Sequence, residues 1–499
     1  MNNQSQTKNR TIILSFMLTI GLVFFTNAQD KNGKSSKSLK NENIEKGTNA
    51  FPKLKYTDIP GAPKLGAPQL IMGETEPVKG EGMGWAAPAV YDLNGDGKKD
   101  LLIGEFASGL ENNGISTGNF LRVYQNEGSD KEPTFSDIYN YVWGISDIKE
   151  SNGTPLSVYT WCCIGFTPRF VDLDNDGFDD LLTGQFNPGY ITWFRGSENG
   201  FLPALTLEEE GDPMIGFRQR DYSIPVTDPI SSGYWSYSSA AFGDFDGDGD
   251  FDMVLGGSAI KICKNIGTKT APKFGKRELL LDINEKPLKI HEYTKEEAEV
   301  MEKYEKEGNL SPLSGTGVSV PYVVDWDLDG VLDLMITDSY TSEGSVAVKF
   351  FRGLKTKNGL RFEPGIPLFS TKNGGKEFPG SWPNVCVTDW NNDGVNDLII
   401  GTSVATLDGK FDFELSWTWE NDTDIVKKNP ATYSPYMKRV IEQQLQSAEE
   451  YQKKSGLSTE ELRNQHYSNK EDLFKHYFTK EEYKSLSHQG YVYVMLGKK

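Results

Sequence analysis

The sequence predicts an all-β chain built as a β-propeller of four-stranded blades. Three observations carry that expectation. A thirteen-residue pattern of alternating acidic positions, a glycine and an apolar run occurs five times. Strand-like stretches flank every copy. Aromatic residues make up 12% of the chain and glycines number 51, which favours strands and turns over a helical bundle. A unit of this size cannot bury its apolar faces alone, and repeated four-stranded sheets solve the problem by packing radially.

Ahead of the repeats, Lys8 and Arg10 precede an apolar run from Ile12 to Phe25 and a small residue, Ala28. This reads as a secretory signal over residues 1–28, so export to a periplasm or to the medium is expected. Residues 29–50 are polar and read as a disordered leader. Residues 51–499 read as one propeller domain. No later apolar run reaches membrane-spanning length, so membrane insertion is not expected. The formal net charge of −19 argues against nucleic acid, whose binders carry basic patches. A monomer is expected.

Aligned on the first aspartate, the five stretches read "DLNGDGKKDLLIG" from Asp92, "DLDNDGFDDLLTG" from Asp172, "DFDGDGDFDMVLG" from Asp244, "DWDLDGVLDLMIT" from Asp325 and "DWNNDGVNDLIIG" from Asp389. Their first aspartates are 80, 72, 81 and 64 residues apart. Positions one, three, five and nine supply the oxygens. They are Asp92, Asn94, Asp96 and Asp100; Asp172, Asp174, Asp176 and Asp180; Asp244, Asp246, Asp248 and Asp252; Asp325, Asp327, Asp329 and Asp333; and Asp389, Asn391, Asp393 and Asp397. Crowded carboxylates repel one another unless a cation sits among them. A tightly curled loop of hard oxygens with a glycine turn suits calcium (Ca2+), which takes six to eight oxygen ligands. An EF-hand would need glutamate at position twelve, where this chain has Ile103, Thr183, Leu255, Ile336 and Ile400. Position nine is therefore read as the last ligand. One such match would be a polar turn; five in register are not. Eighteen of these positions are aspartate, and five Ca2+ would offset about half of the formal charge.

Each loop follows an apolar strand: "WAAPAVYD", "GFTPRFVD", "YSSAAFGD", "VSVPYVVD" and "WPNVCVTD". A second strand and a strand–turn–strand follow, giving repeats over 85–140, 165–207, 237–283, 318–370 and 382–425. Loops and strands together resemble the FG-GAP/VCBS repeat family of calcium-binding β-propellers, over residues 80–425. The resemblance implies a secreted propeller of the kind found with bacterial polysaccharide utilisation, with Ca2+ held by the residues named above. It does not imply one function, because such propellers serve adhesion, scaffolding and catalysis alike. The stretch "GYVYVMLG" at 490–497 resembles a third strand, "GYITWFRG" at 189–196, and an N-terminal strand near "APQLIMG" would complete that blade and close the ring. Residues 434–485 read as a helical insertion and 294–308 as a shorter helix. Six or seven blades are expected in total.

If the acidic loop joins strands one and two, the longer connections 105–119, 141–164, 208–236 and 284–316 gather on the opposite face. Long loops on a rigid scaffold are where binding and catalysis are usually placed. Trp85, Trp161, Tyr234, Trp235 and Trp382 are read as stacking surfaces for a sugar ring there, with Arg169 clamping its carboxylate or sulfate. Tyr237 is read as the base or proton donor, with His291 as a further acid–base candidate. Such groups suit β-elimination on an acidic, uronate-containing polysaccharide or oligosaccharide, by a lyase or dehydratase. Two alternatives stand beside this reading: the aromatics plug the channel as core, or the propeller binds glycan or protein, or serves adhesion, without catalysis. Cys162 and Cys163 are adjacent, and form either a vicinal disulfide or two thiols on opposite faces of a strand. Cys263 and Cys386 complete the four cysteines.

Overall fold

The computed structural model describes residues 51, 53–80, 85–107, 110–112, 115–118, 121–137, 140–141, 153, 156, 158–159, 164–184, 190–210, 212–213, 239–257, 259–289, 319–338, 345–357, 359–370, 372, 378–407, 410–411 and 486–499. Five blades are present among them. Blade 1 orders Ala87–Tyr91, Asp100–Gly104, Leu121–Tyr124 and Asn140–Tyr141. Blade 2 orders Arg169–Val171, Asp180–Thr183, Thr192–Phe194 and Leu205–Thr206. In blade 3, Ala240–Gly243, Asp252–Leu255, Lys261–Asn265 and Phe274–Leu279 are extended at the outer edge by Glu208–Glu209 and Asp212–Pro213. Blade 4 orders Val320–Val324, Asp333–Asp338, Ser345–Phe351 and Ile366–Pro367. Every acidic loop joins the first strand to the second. The register is the same five times: the residue before the first aspartate pairs with the ninth-position aspartate.

Blade 5 is composite. Its first two strands are Ser381–Thr388 and Asp397–Leu407, its third is the C-terminal Leu486–Met495, and its fourth is Gln69–Leu70 from the start of the domain. Gln69 pairs with Val494 and Leu70 with Tyr493. This corrects the expectation of six or seven blades. The two terminal stretches do not add a blade; they complete the fifth, so the ring has as many blades as acidic loops. Closure is visible at Gly401, where a Cβ would lie 2.1 Å from the carbonyl oxygen of Ala86 in blade 1. Gly104 and Gly256, at the same repeat position, approach Phe166 O and Ser319 O of the next blades equally closely. Blade 4 carries Thr337 there, and its hydroxyl donates to the corresponding carbonyl, Pro383 O, at 2.9 Å.

The apolar run after each acidic loop is continuous because both faces of the second strand are buried between blades. Leu101 and Ile103 pack with Ile399 and Val492 of blade 5, while Leu102 between them packs with Leu181 and Phe194 of blade 2. Leu182 in turn faces Met253 of blade 3. All three blade 1 residues are fully buried, and truncating one to alanine would cost about 2–5 kcal/mol. Pro88, Pro168 and Pro321 lie in or just before first strands, which are the innermost and have an unpaired edge, where a missing N–H costs no ladder bond.

Contacts divide the chain into two units. The propeller belongs to 40–405, 412–423 and 488–499. Of the other unit, the described part includes the strand ends pairing Thr406 with Phe411 and Leu407 with Lys410. Both expected helices, 294–308 and 434–485, lie outside the described residues. No helix among the described residues is long and apolar enough to cross a membrane.

Candidate functional site

The five acidic loops share one backbone. Position four has positive φ in each: Gly95, Asn175, Gly247, Leu328 and Asn392. Position six, always glycine, lies at φ +81° to +94°. Leu328 in that conformation is 60% exposed, so the loop imposes its geometry even where the residue resists it. The first aspartate organises the turn by accepting N–H groups from positions five and six in loops 1, 2, 4 and 5, and from positions four and six in loop 3. Asp172 accepts from Asp176 and Gly177 at 3.0 Å, and Asp389 from Asp393 and Gly394 at 2.9 and 2.8 Å. Position five accepts the N–H of position seven, as Asp329 does from Val331 at 2.8 Å.

Position nine does something the sequence did not reveal. Asp100, Asp180, Asp252, Asp333 and Asp397 are fully buried. Each accepts one N–H from loop position two and one from the turn after the third strand. For Asp333 these are Trp326 at 2.9 Å and Gly353 at 2.7 Å; for Asp397, Trp390 at 2.7 Å and Gly497 at 2.6 Å. Burial pushes Asp180 and Asp252 up to about 6 and Asp333 up to about 7, against the opposing pull of those backbone donors. Position nine is thus a brace across three strands as well as an expected ligand, since each carboxylate oxygen has lone pairs beyond one hydrogen bond.

Three loops bring carboxylate oxygens within 4.8 Å of one another: Asp172, Asp174 and Asp176; Asp244, Asp246 and Asp248; and Asp325, Asp327 and Asp333. These clusters could hold a metal ion. The residues fit one. Asp174 Oδ1, Asp327 Oδ1 and Asn391 Oδ1 are buried and accept no hydrogen bond, and the donors are hard oxygens of the kind calcium takes.

At the centre, the third residue before each first aspartate forms a layer of the channel: Ala89, Arg169, Ala241, Tyr322 and Cys386. All five line a cavity of about 190 Å³. Arg169 is the one permanently charged residue of the layer. Its Nη1 donates to Pro168 O at 3.0 Å and its Nη2 to Pro321 O at 3.3 Å, and the guanidinium lies 4.9 Å from the Tyr322 ring centroid. Its Nε is buried with no acceptor. No carboxylate pairs with it among the described residues, and burial pulls its pKa down. The Tyr322 hydroxyl donates to Val387 O at 3.2 Å beside Cys386 Sγ at 3.7 Å. Burial pushes both Tyr322 and Cys386 above their ordinary values.

The other expected ligand residues part ways. Trp85 is 2% exposed and donates its Nε1 to Phe166 O at 3.1 Å. That corrects its reading as a stacking surface: it packs at the junction of blades 1 and 2, with no free face for a sugar. Trp382, half-buried at φ +56°, meets it edge to face at 5.7 Å. Trp161, Tyr234, Trp235, Tyr237 and His291 lie outside the described residues, as do Cys162 and Cys163. Cys263 and Cys386 are free and buried. Sequence reasoning missed Tyr322 and Cys386, which stand at the same repeat position as Arg169. It also missed Arg195, Lys264 and Arg352, which meet position-three carboxylates from the third strand.

No curated protein matches the chain in sequence. One similar solved structure is the crystal structure of a thermostable family-43 glycoside hydrolase, at 14% identity and a TM-score of 0.30, covering 65% of this chain and 87% of that one. The family model of the FG-GAP-like repeat matches residues 172–255, from the first aspartate of loop 2 to the second strand of blade 3. Over those residues the chain matches an FG-GAP-like repeat.

Proposed function

We propose that the protein is an exported, calcium-stabilised propeller, a monomer, that takes the acidic group of a uronate-containing polysaccharide or oligosaccharide at its central channel. The observation that carries the reading is Arg169, a guanidinium set in a cavity with its Nε unanswered and no carboxylate partner among the described residues. A buried charge without a counter-charge is costly, and a ligand anion would relieve that cost. Calcium at the five loops would hold the blades that position this group.

The chemistry that fits is β-elimination. Pairing with Arg169 would withdraw charge from the uronate carboxylate and so acidify the neighbouring C–H. A base takes that proton, the electron pair forms the C=C bond, and the C–O bond to the departing alcohol or water breaks, with a proton delivered to the leaving oxygen. Tyr237 and His291 remain the proposed acid–base groups. Tyr322 is a poor base, because its hydroxyl is engaged with Val387 O and burial holds its proton on. A second reading, acid-glycan binding without catalysis, is favoured by the channel layer itself, where alanines, a thiol and an engaged phenol surround the single arginine.

A panel of uronate-containing, sulfated and neutral glycans separates the two. Ultraviolet absorbance of an unsaturated uronate in wild type, lost in Tyr237→Phe and Arg169→Ala, establishes the lyase. Calorimetric binding of acidic glycans without that absorbance, lost in Arg169→Ala, establishes the binder. Equal affinity for neutral and acidic glycans would sink both.

A further inference from the structure

The five loops are not chemically identical, and the difference tracks a residue outside them. The third-strand turn that donates to the ninth-position aspartate does so from Asn126, Gly196, Asn265, Gly353 and Gly497. The residue just before each donor is Gln125, Arg195, Lys264, Arg352 and Leu496. Position three, in the same order, is Asn94, Asp174, Asp246, Asp327 and Asn391. A base stands wherever position three is an acid, and a neutral residue wherever it is an amide.

The contacts follow the pattern. Arg195 Nε lies 2.7 Å from Asp174 Oδ2, Lys264 Nζ 3.3 Å from Asp246 Oδ2, and Arg352 pairs with Asp327. In the amide loops the Asn side chain meets the need internally: Asn94 Nδ2 donates to Asp96 at 3.4 Å and Asn391 Nδ2 to Asp393 at 3.0 Å. In loop 1 the loop's own Lys98 approaches Asp96 at 3.9 Å, away from position three. Over these ligand positions and the third-strand residue, four carboxylates with one base and three carboxylates with none leave the same formal charge. Unpaired oxygens still point into both kinds of loop, Asp174 Oδ1 and Asp327 Oδ1 in the acid class and Asn391 Oδ1 in the amide class, with the two aspartate side chains 3% and 0% exposed.

We propose that the third-strand bases divide the cation loops into two classes. In blades 2, 3 and 4, Arg195, Lys264 and Arg352 are resident cations that hold the position-three carboxylate while no ion is bound, and compete with an incoming divalent ion. In blades 1 and 5 the third-strand residue, Gln125 or Leu496, brings no base to oppose the ion at position three. A positive charge beside a divalent ion at this range is strongly repulsive in a partly buried setting. The resident bases therefore trade affinity for a metal-free blade that stays folded. This inference rests on the reading of the loops as calcium sites.

The test is calorimetric titration of chelator-stripped full-length protein with calcium chloride, alongside melting temperatures with and without EDTA. Wild type should bind in two classes, two ions more tightly than the other three. Arg352→Gln should move one ion into the tight class, by roughly tenfold or more, and lower the melting temperature of metal-free protein more than that of loaded protein. Lys264→Gln repeats the measurement at a more exposed pair, should the Arg352 variant not fold. Asn391→Asp, an acid without a base, should also tighten its loop. Five equivalent sites, unchanged or weakened in the glutamine variants, would overturn the two-class proposal and leave the calcium reading standing. No calcium bound by wild type would overturn the calcium reading itself.

Discussion

The loop end of the propeller and its central channel answer opposite demands with the same repeat. At the loop end, one solution is used five times, with positive φ at positions four and six, a capping carboxylate at position one, and a buried carboxylate at position nine. In the channel, one repeat position is filled by Ala89, Arg169, Ala241, Tyr322 and Cys386, with a single permanent charge among them. A blade needs the same support wherever it stands in the ring, so support repeats. A ligand without fivefold symmetry, as proposed for the channel, would need a surface that does not repeat, and this layer does not repeat. The search for function belongs where the repeats disagree.

The comparison breaks most violently at the metal. If calcium occupies all five loops as proposed, removing it acts on every blade at once, because ions that bind only the folded form stabilise it by mass action. EDTA should lower the melting temperature by roughly 10 °C or more, measured by calorimetry; an unchanged melting temperature would remove the metal from the account of stability. Next in size is the brace. Asp333→Ala strands two buried N–H groups, those of Trp326 and Gly353, and should cost about 2–5 kcal/mol in denaturant unfolding. Asp58→Ala, on an exposed side chain, should stay within about 0.5 kcal/mol. Asp137 would be a poor control, since it accepts N–H groups of Thr75 and Glu76 and ties the start of the domain to blade 1.

What the sequence made legible was whatever is local. The loop residues, the first and second strands and the four-stranded units of blades 1 to 4 all follow from spacing within 38 to 55 residues. Blade number did not, because the third strand of blade 5 comes some eighty residues after the second, and its fourth comes from the other end of the domain. Burial was equally hidden. Trp85 and Trp382 occupy the same repeat position, yet Trp85 is core and Trp382 is half-buried, which depends on the neighbouring blade. Arg195, Lys264 and Arg352 could have been found by aligning third strands against position three, since the charges vary together.

The channel should respond in the opposite sense to the loops. Arg169→Met keeps the length of the side chain and removes the unpaired charge. Replacing a buried charge by an apolar group of similar volume is often neutral or stabilising, so stability should move by no more than about 2 kcal/mol while acid-glycan binding disappears. Calcium uptake should be unaffected. A large loss of stability with binding retained would mean that Arg169 serves packing, through its stem and its bonds to Pro168 O and Pro321 O, and not recognition.

The smallest effect concerns another buried cation, which neither region uses. Lys261, on the third strand of blade 3, is 5% exposed, and its Nζ donates to Ala259 O at 3.3 Å. Burial, with Arg277 nearby, brings its pKa down to about 8. A lysine depressed in the folded state favours folding fully only above its unfolded pKa, and loses that contribution as pH falls through the folded value. Below about pH 8 the fold must therefore hold a charge it disfavours. Lys261→Met should raise stability near neutral pH by about 1 kcal/mol, and the advantage should shrink steadily as pH rises from about 8 toward 10.5. Paired melting curves across that range report the difference directly, because the other titrating groups are common to both proteins. A gain that does not change with pH would show that added apolar packing, not relief of a buried charge, is the cause.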